Sequence, residues 1–182
     1  PGYDYALPAA ELVKMPGFAK DINASRAEAR KLLADAGHAN LTFTLTNRNV
    51  AMPYTAVGVF LIDQWRQVGL TVKHEQLETR LYLAAQQKDN PTFDAALDFN
   101  CDYMDEPNLE LQKFLSHDKS AINYAGQTDR VLDELYDKQS GELDKKKRTA
   151  LLRDFEKRAL DQSYTIPTIW WHRIIVLNQK LK

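Results

Sequence analysis

Cysteine is almost absent from this chain. Cys101 is the only one in 182 residues, which excludes an internal disulfide and any site built from paired thiolates. The ordinary role of such a residue is that of a small buried apolar group. Glycine is scarce as well. The seven glycines do not cluster, and no GxGxxG, GxxxxGK[ST] or GxSxG pattern occurs. Dinucleotide cradles, P-loops and nucleophile elbows therefore have no footing. The four histidines, His38, His74, His117 and His172, stand far apart, so no metal site of sequential ligands is expected. No apolar run approaches the ~20 residues that span a bilayer. No signal-peptide pattern opens the chain and residue 1 is Pro, so the natural start is expected elsewhere. Charge of one sign is missing too. With 24 basic and 25 acidic residues the net charge is -1, which leaves no electrostatic footprint for nucleic acid. The basic run Lys145, Lys146, Lys147 and Arg148 opens a helical segment among acidic residues and reads as a solvated helix face.

What the chain does have is periodicity. Residues 1–24 are irregular, broken by Pro1, Pro8, Pro16, Gly2 and Gly17, and are expected to lie extended over a surface. Residues 25–182 form one folding unit. Ser25 and Glu28 have capping-box spacing ahead of Ala29, Leu32, Leu33 and Ala36, and Gly37 supplies the stop. Leu41, Phe43 and Leu45 alternate with threonines, which predicts a strand. A helix from near Pro53 carries Val57, Phe60, Leu61, Trp65 and Val68, closed by Gly69. A second strand spans 70–77, Thr79 caps a short helix, and a third, more apolar strand spans 93–99.

A polar, acidic loop follows at 100–108. Beyond it come a short helix bearing Leu109, Leu111, Phe114 and Leu115, and a helix over 128–140 with Val131, Leu132, Leu135 and Tyr136 inward. A last helix is capped by Asp144 and carries Leu151, Leu152, Phe155 and Ala159. Residues 166–177 are β-branched and aromatic and read as strand. Trp65 belongs to an apolar stripe. Trp170 and Trp171 are adjacent in a strand and point to opposite faces.

Strands alternating with helices predict an α/β fold with a largely parallel or mixed sheet covered by helices. Ligands of such sheets sit beyond the carboxyl ends of the strands. The loop after the third strand occupies that position, which makes Asp102 the foremost candidate. Asp105 and Glu106 also fit the acid-rich first turn of a helix that begins at Pro107.

Several segments resemble one family. Residues 25–37 (SRAEARKLLADAG) are similar to the A-x-x-LL-x-x-AG helix of the extracellular solute-binding proteins of bacterial ABC importers, of the peptide/nickel-binding type. Residues 60–72 (FLIDQWRQVGLTV) resemble that family's L-x-x-Q-x-x-x-x-G-(I/L)-x-V unit, and 93–107 (FDAALDFNCDYMDEP) its FD…W-x-x-DY-x-(D/E)P loop. Asn123, Tyr124, Asp129, Arg148, Leu151, Ile166 and Pro167 follow in the family's order. The resemblance covers nearly the whole chain and implies the C-terminal lobe of a type II periplasmic-binding-protein architecture, whose N-terminal lobe would supply the other half of a cleft.

The resemblance implies a non-catalytic, cofactor-free and metal-free function of a bacterial protein that is periplasmic, or extracellular and membrane-anchored. A peptide-like or other small solute is captured by lobe closure and handed to an ABC permease. It places the ligand's amino group on Asp102, with Tyr103 and Asn100 shaping the pocket and Cys101 and Asp105 in support. Counted from the Asp102–Tyr103 pair the loop matches the family. Counted back from Pro107, Tyr103 stands where the aspartate is expected, because the interval from Phe99 is one residue longer. Strand 93–99 offers no arginine for a peptide carboxylate. Two other readings stand beside this one. The first is a non-catalytic interaction domain, which requires an exposed apolar patch away from the strand ends. The second is a hydrolase using Asp102 with Asp105, which requires both carboxylates in one cavity.

Overall fold

The computed structural model describes residues 4–87, 91–99 and 106–169. Three parallel strands, β1 (Thr42–Arg48), β2 (Thr71–Leu77) and β3 (Ala95–Ala96), form a sheet in the order β2-β1-β3. The largely parallel sheet expected from the sequence is the one observed. β1 and β2 pair from Thr42 with Thr71 to Arg48 with Leu77. Leu45, Thr46 and Asn47 are buried in succession, as a central parallel strand covered on both faces requires.

β3 is far shorter than the expected 93–99, because side chains take the backbone groups that a ladder would use. The Asp94 carboxylate accepts the Thr44 N–H at 2.9 Å. Lys113 Nζ donates to the Phe99 carbonyl at 3.0 Å, and the Tyr82 hydroxyl donates to that of Leu97.

Helix α1 (Ala9–Leu12) is a single turn, and α2 (Ile22–Asp35) begins ahead of the expected capping box. Asp21, in an extended conformation, accepts from the N–H groups of Asn23 (2.9 Å) and Ala24 (3.1 Å). Ser25 instead donates its hydroxyl to the Asp21 carbonyl at 3.1 Å. The stop at Gly37 is as expected, with φ +76°. Before α3 (Ala56–Arg66) the chain makes a wide turn at Ala51–Thr55, so the helix starts later than Pro53. Gly58 lets α3 press onto the sheet: a Cβ there would lie 2.5 Å from Asn47 Nδ2 and 2.6 Å from His74 Nε2. Trp65 meets Phe43 edge-on at 5.3 Å. Helix α4 (Thr79–Ala85) is capped by Glu78 rather than Thr79, whose hydroxyl accepts from Arg48 instead.

The remaining helices are α5 (Pro107–Leu111), α6 (Arg130–Gly141) and α7 (Lys145–Gln162). Pro107 opens α5 and Asp144 caps α7, accepting from Lys147 N–H at 2.9 Å, both as the sequence indicated. A second core gathers Leu115, Leu132, Phe155 and Ala159, with Phe114 edge-on to Phe155 at 6.2 Å. Val131 was expected inward but is 49% exposed. The inward stripe is Leu132, Leu135, Tyr136 and Gln139, so Val131, one residue earlier, falls off the packed face.

The N-terminal segment runs along α7. Leu7 is buried and its N–H donates to Glu156 at 2.7 Å, while Asp4 and Glu11 pair with Lys145 and Lys157. The basic run is therefore only partly a solvated face. Arg148 turns inward, pairs with Glu106 and lies over the Tyr5 ring.

Leu132 has no exposed surface. Leu132→Ala is expected to destabilise the fold by about 2–5 kcal/mol through transfer and cavity terms. The midpoint of urea denaturation measures this, and Val131→Ala should shift it by less than about 1 kcal/mol.

Candidate ligand-binding site

The residues singled out from the sequence, Asn100, Cys101, Asp102, Tyr103 and Asp105, lie outside the described residues, as do Trp170 and Trp171. Both flanks of that loop are described, and both are anchored. On one side Lys113 pairs with Asp98 and holds the Phe99 carbonyl, each at 3.0 Å. On the other, Glu106 accepts from the Asn108 N–H, caps α5 and pairs with Arg148. That pairing lowers the Glu106 carboxyl below its ordinary range. The helix-start role expected for Glu106 is the one it plays.

The carboxyl ends of the strands bring together residues that sequence reasoning missed. Arg48 is the last residue of β1. Its Nη1 donates to the Tyr54 hydroxyl at 3.0 Å and its Nη2 to Thr79 Oγ1 at 3.3 Å. The guanidinium carbon lies 4.7 Å from the Tyr54 ring centroid. Arg48 Nε is buried and unpartnered among the described residues, and no ion pair there engages this cation. Tyr54 in turn meets Tyr82 at 6.5 Å and Phe99 at 6.2 Å, both edge-on. Phe99, the residue ahead of position 100, therefore shares one end of the sheet with the cation. The signal available in the sequence was position: an arginine closing a predicted strand of a parallel sheet.

One further side chain fixes this arrangement. Asn47 is fully buried. Its Nδ2 donates to the Tyr54 carbonyl at 2.7 Å and lies 3.0 Å from His74 Nε2, while its Oδ1 accepts the Arg48 N–H at 2.9 Å.

A small apolar cavity of about 70 Å³ adjoins Tyr54, lined also by Pro53, Val57, Leu97, Thr168 and Ile169. A larger hollow of about 440 Å³ lies between Thr44, Thr46, Glu75, Thr92 and Asp94. It is the weaker candidate. Its carboxylates are already engaged, Glu75 with Thr46 Oγ1 and Asp94 with the Thr44 N–H, and it sits below the strand ends.

A half-buried guanidinium among aromatic rings suits a planar anion, because its donors match a carboxylate in pairs. No group of three or more metal-ligating side chains occurs among the described residues, and no described helix is long and apolar enough to cross a membrane.

The fold is that of type II periplasmic binding proteins. Solved structures with the same fold include the murein tripeptide binding protein MppA of Escherichia coli. Its unliganded open form superposes with a TM-score of 0.74 at 21% identity, over 81% of this chain and 29% of that one. The substrate-binding protein CtaP of Listeria monocytogenes matches with a TM-score of 0.68 at 19% identity, over 87% of this chain and 30% of that one. DppA of Helicobacter pylori, in complex with the peptide STSA, matches with 0.66 at 18% identity, over 81% and 28%. CtaP and DppA are binding proteins of ABC transporters, in line with the resemblance read from the sequence. The chain spans about 30% of their length. No family model matches the chain, and no curated protein does.

Burial holds the Tyr82 phenol well above its ordinary range, and Asp98 adds to the shift. The unfolded chain releases this proton near pH 10 while the native one keeps it, so stability is lost as pH rises past about 10. Absorbance titration of tyrosinate should show a late component that ionises only on alkaline unfolding, and Tyr82→Phe should diminish it.

Proposed function

We propose that this chain is the ligand-gripping lobe of an ABC-importer solute-binding protein that captures peptide-like solutes and has no catalytic activity. Arg48 carries the reading. A cation held at the carboxyl ends of a parallel sheet, stacked on Tyr54 and unpaired among the described residues, is matched by the C-terminal carboxylate of a peptide. The amino group falls to Asp102 in the adjoining loop, as the family resemblance implies, and the apolar cavity beside Tyr54 takes a small side chain.

The mechanism is a population shift. The rest of the parent protein closes over the ligand, water leaves the cleft, and both charge pairs strengthen in the drier medium. The closed form then docks on a permease, and the protein acts in the periplasm, or outside the cell while anchored to its membrane. Neighbours of the same fold that bind peptides support this reading, as does the absence of any ion pair on Arg48 among the described residues.

The test is calorimetric titration of the full-length protein with trialanine and with trialanine amide. Removing one partner of a desolvated charge pair costs about 2 kcal/mol or more, roughly 30-fold in affinity. Arg48→Ala should weaken trialanine binding by at least that factor, and the amide should bind the native protein as weakly as the acid binds the variant. Equal affinity of acid and amide would remove Arg48 from this role. Absence of peptide binding, with thermal stabilisation by an unrelated solute class, would replace the ligand and keep the fold.

A further inference from the structure

His74 on β2 lies one side chain away from the ligand-facing cation, and that side chain is Asn47. The orientation of the Asn47 amide is set by two backbone groups. The Arg48 N–H can only donate, so it faces Oδ1 (2.9 Å), and the Tyr54 carbonyl can only accept, so it faces Nδ2 (2.7 Å). The second Nδ2 hydrogen is left for His74 Nε2 at 3.0 Å. That nitrogen must therefore accept, which fixes His74 as the neutral imidazole with its proton on Nδ1. A protonated ring presents N–H to N–H. Turning the amide over to relieve the clash surrenders both backbone contacts. Gly58 leaves no space for a retreat, since even a Cβ at that position would come within 2.6 Å of His74 Nε2.

We propose that His74 is a positioning residue for anion binding: its neutral ring locks Asn47, which seats Tyr54 and Arg48, so that protonation of His74 loosens the anion site. This deepens the functional reading above and rests on it for the identity of the bound anion.

The surroundings favour the neutral ring. Burial lowers the affinity of His74 for a proton. Charged groups on the packed elements are turned to other tasks. On α3, Asp63 pairs with Arg66. On β2 the neighbours Lys73 and Glu75 project from the opposite face, with Glu75 accepting from Thr46 Oγ1. On β1, Arg48 engages Tyr54 and Thr79. The sign follows: burial lowers the native value, so the lock is complete at and above the free histidine value of about 6.5 and is lost as pH falls through the lower native one.

Two measurements test the proposal. In the full-length protein with selectively nitrogen-labelled Asn and Arg, the Asn47 amide and Arg48 Nε–H resonances should move together with the His74 ring resonance between about pH 7.5 and about pH 5. Static Asn47 and Arg48 signals while His74 titrates would overturn the proposal. Trialanine affinity should fall about tenfold over the same interval. His74→Gln offers a carbonyl acceptor that never protonates, and should keep neutral-pH affinity while abolishing the acid-side loss. An equal loss in His74→Gln would also overturn it. If no peptide binds at any pH but the three resonances move together, the peptide reading fails and the coupling of His74 to Arg48 stands.

Discussion

Asn47 has no surface of its own, yet the carboxyl end of the sheet depends on it. A fully buried amide with three polar contacts belongs to three elements at once: it terminates β1 through the Arg48 N–H, ties down the turn ahead of α3 through the Tyr54 carbonyl, and reaches β2 through His74. Loss of the amide would leave the buried Tyr54 carbonyl without this partner, at about 1–3 kcal/mol, and would free the part-buried Arg48 N–H and His74 ring as well. Gly58 belongs to the same constraint, because α3 can approach the amide only where no Cβ stands between them. The site is thus built from the sheet outward, and its cation inherits the rigidity of a central strand rather than the freedom of a loop.

A second constraint brackets the acidic loop. Asp98 and the Phe99 carbonyl are held by Lys113 before it, and Glu106 is held by Arg148 after it. These contacts connect the sheet to α5 and α7, and Arg148 continues to Tyr5 of the N-terminal segment. Segments distant in sequence thereby fix where the loop must start and finish. Such an arrangement lets the loop vary in composition, and even by one residue in length, without moving its ends.

The elements that could be read from the sequence are those whose cause is local. β1 and β2 follow from alternation, α2 and α7 from a periodic apolar stripe, and their ends from Gly37, Gly69 and Asp144. The misjudged features are decided by competition. Asp21 displaces Ser25 as the cap of α2, and Glu78 displaces Thr79 at α4, because in each case the earlier carboxylate reaches the free N–H groups. β3 is truncated because Asp94, Tyr82 and Lys113 occupy backbone groups from elsewhere in the chain. Arg48 escaped notice for the same reason. Nothing adjacent to it marks it as functional until the turn at Ala51–Thr55 folds Tyr54 beneath it.

Leaving a guanidinium half-buried with no counter-charge among the described residues has a cost, and the way that cost is met bears on function. Desolvating a cation is unfavourable unless hydrogen bonds and an anion compensate it. Tyr54 and Thr79 supply two neutral acceptors and one π-face, which is partial compensation. A permanent salt bridge would have been the more stable solution, but it would have occupied the donors. On the proposed reading, a lobe that keeps its cation undercompensated while open would gain the missing interaction when a ligand carboxylate arrives and water is expelled. The free energy withheld from the free state would then be available to the closure proposed above, because a ligand shifts an equilibrium only by its differential affinity for the two states.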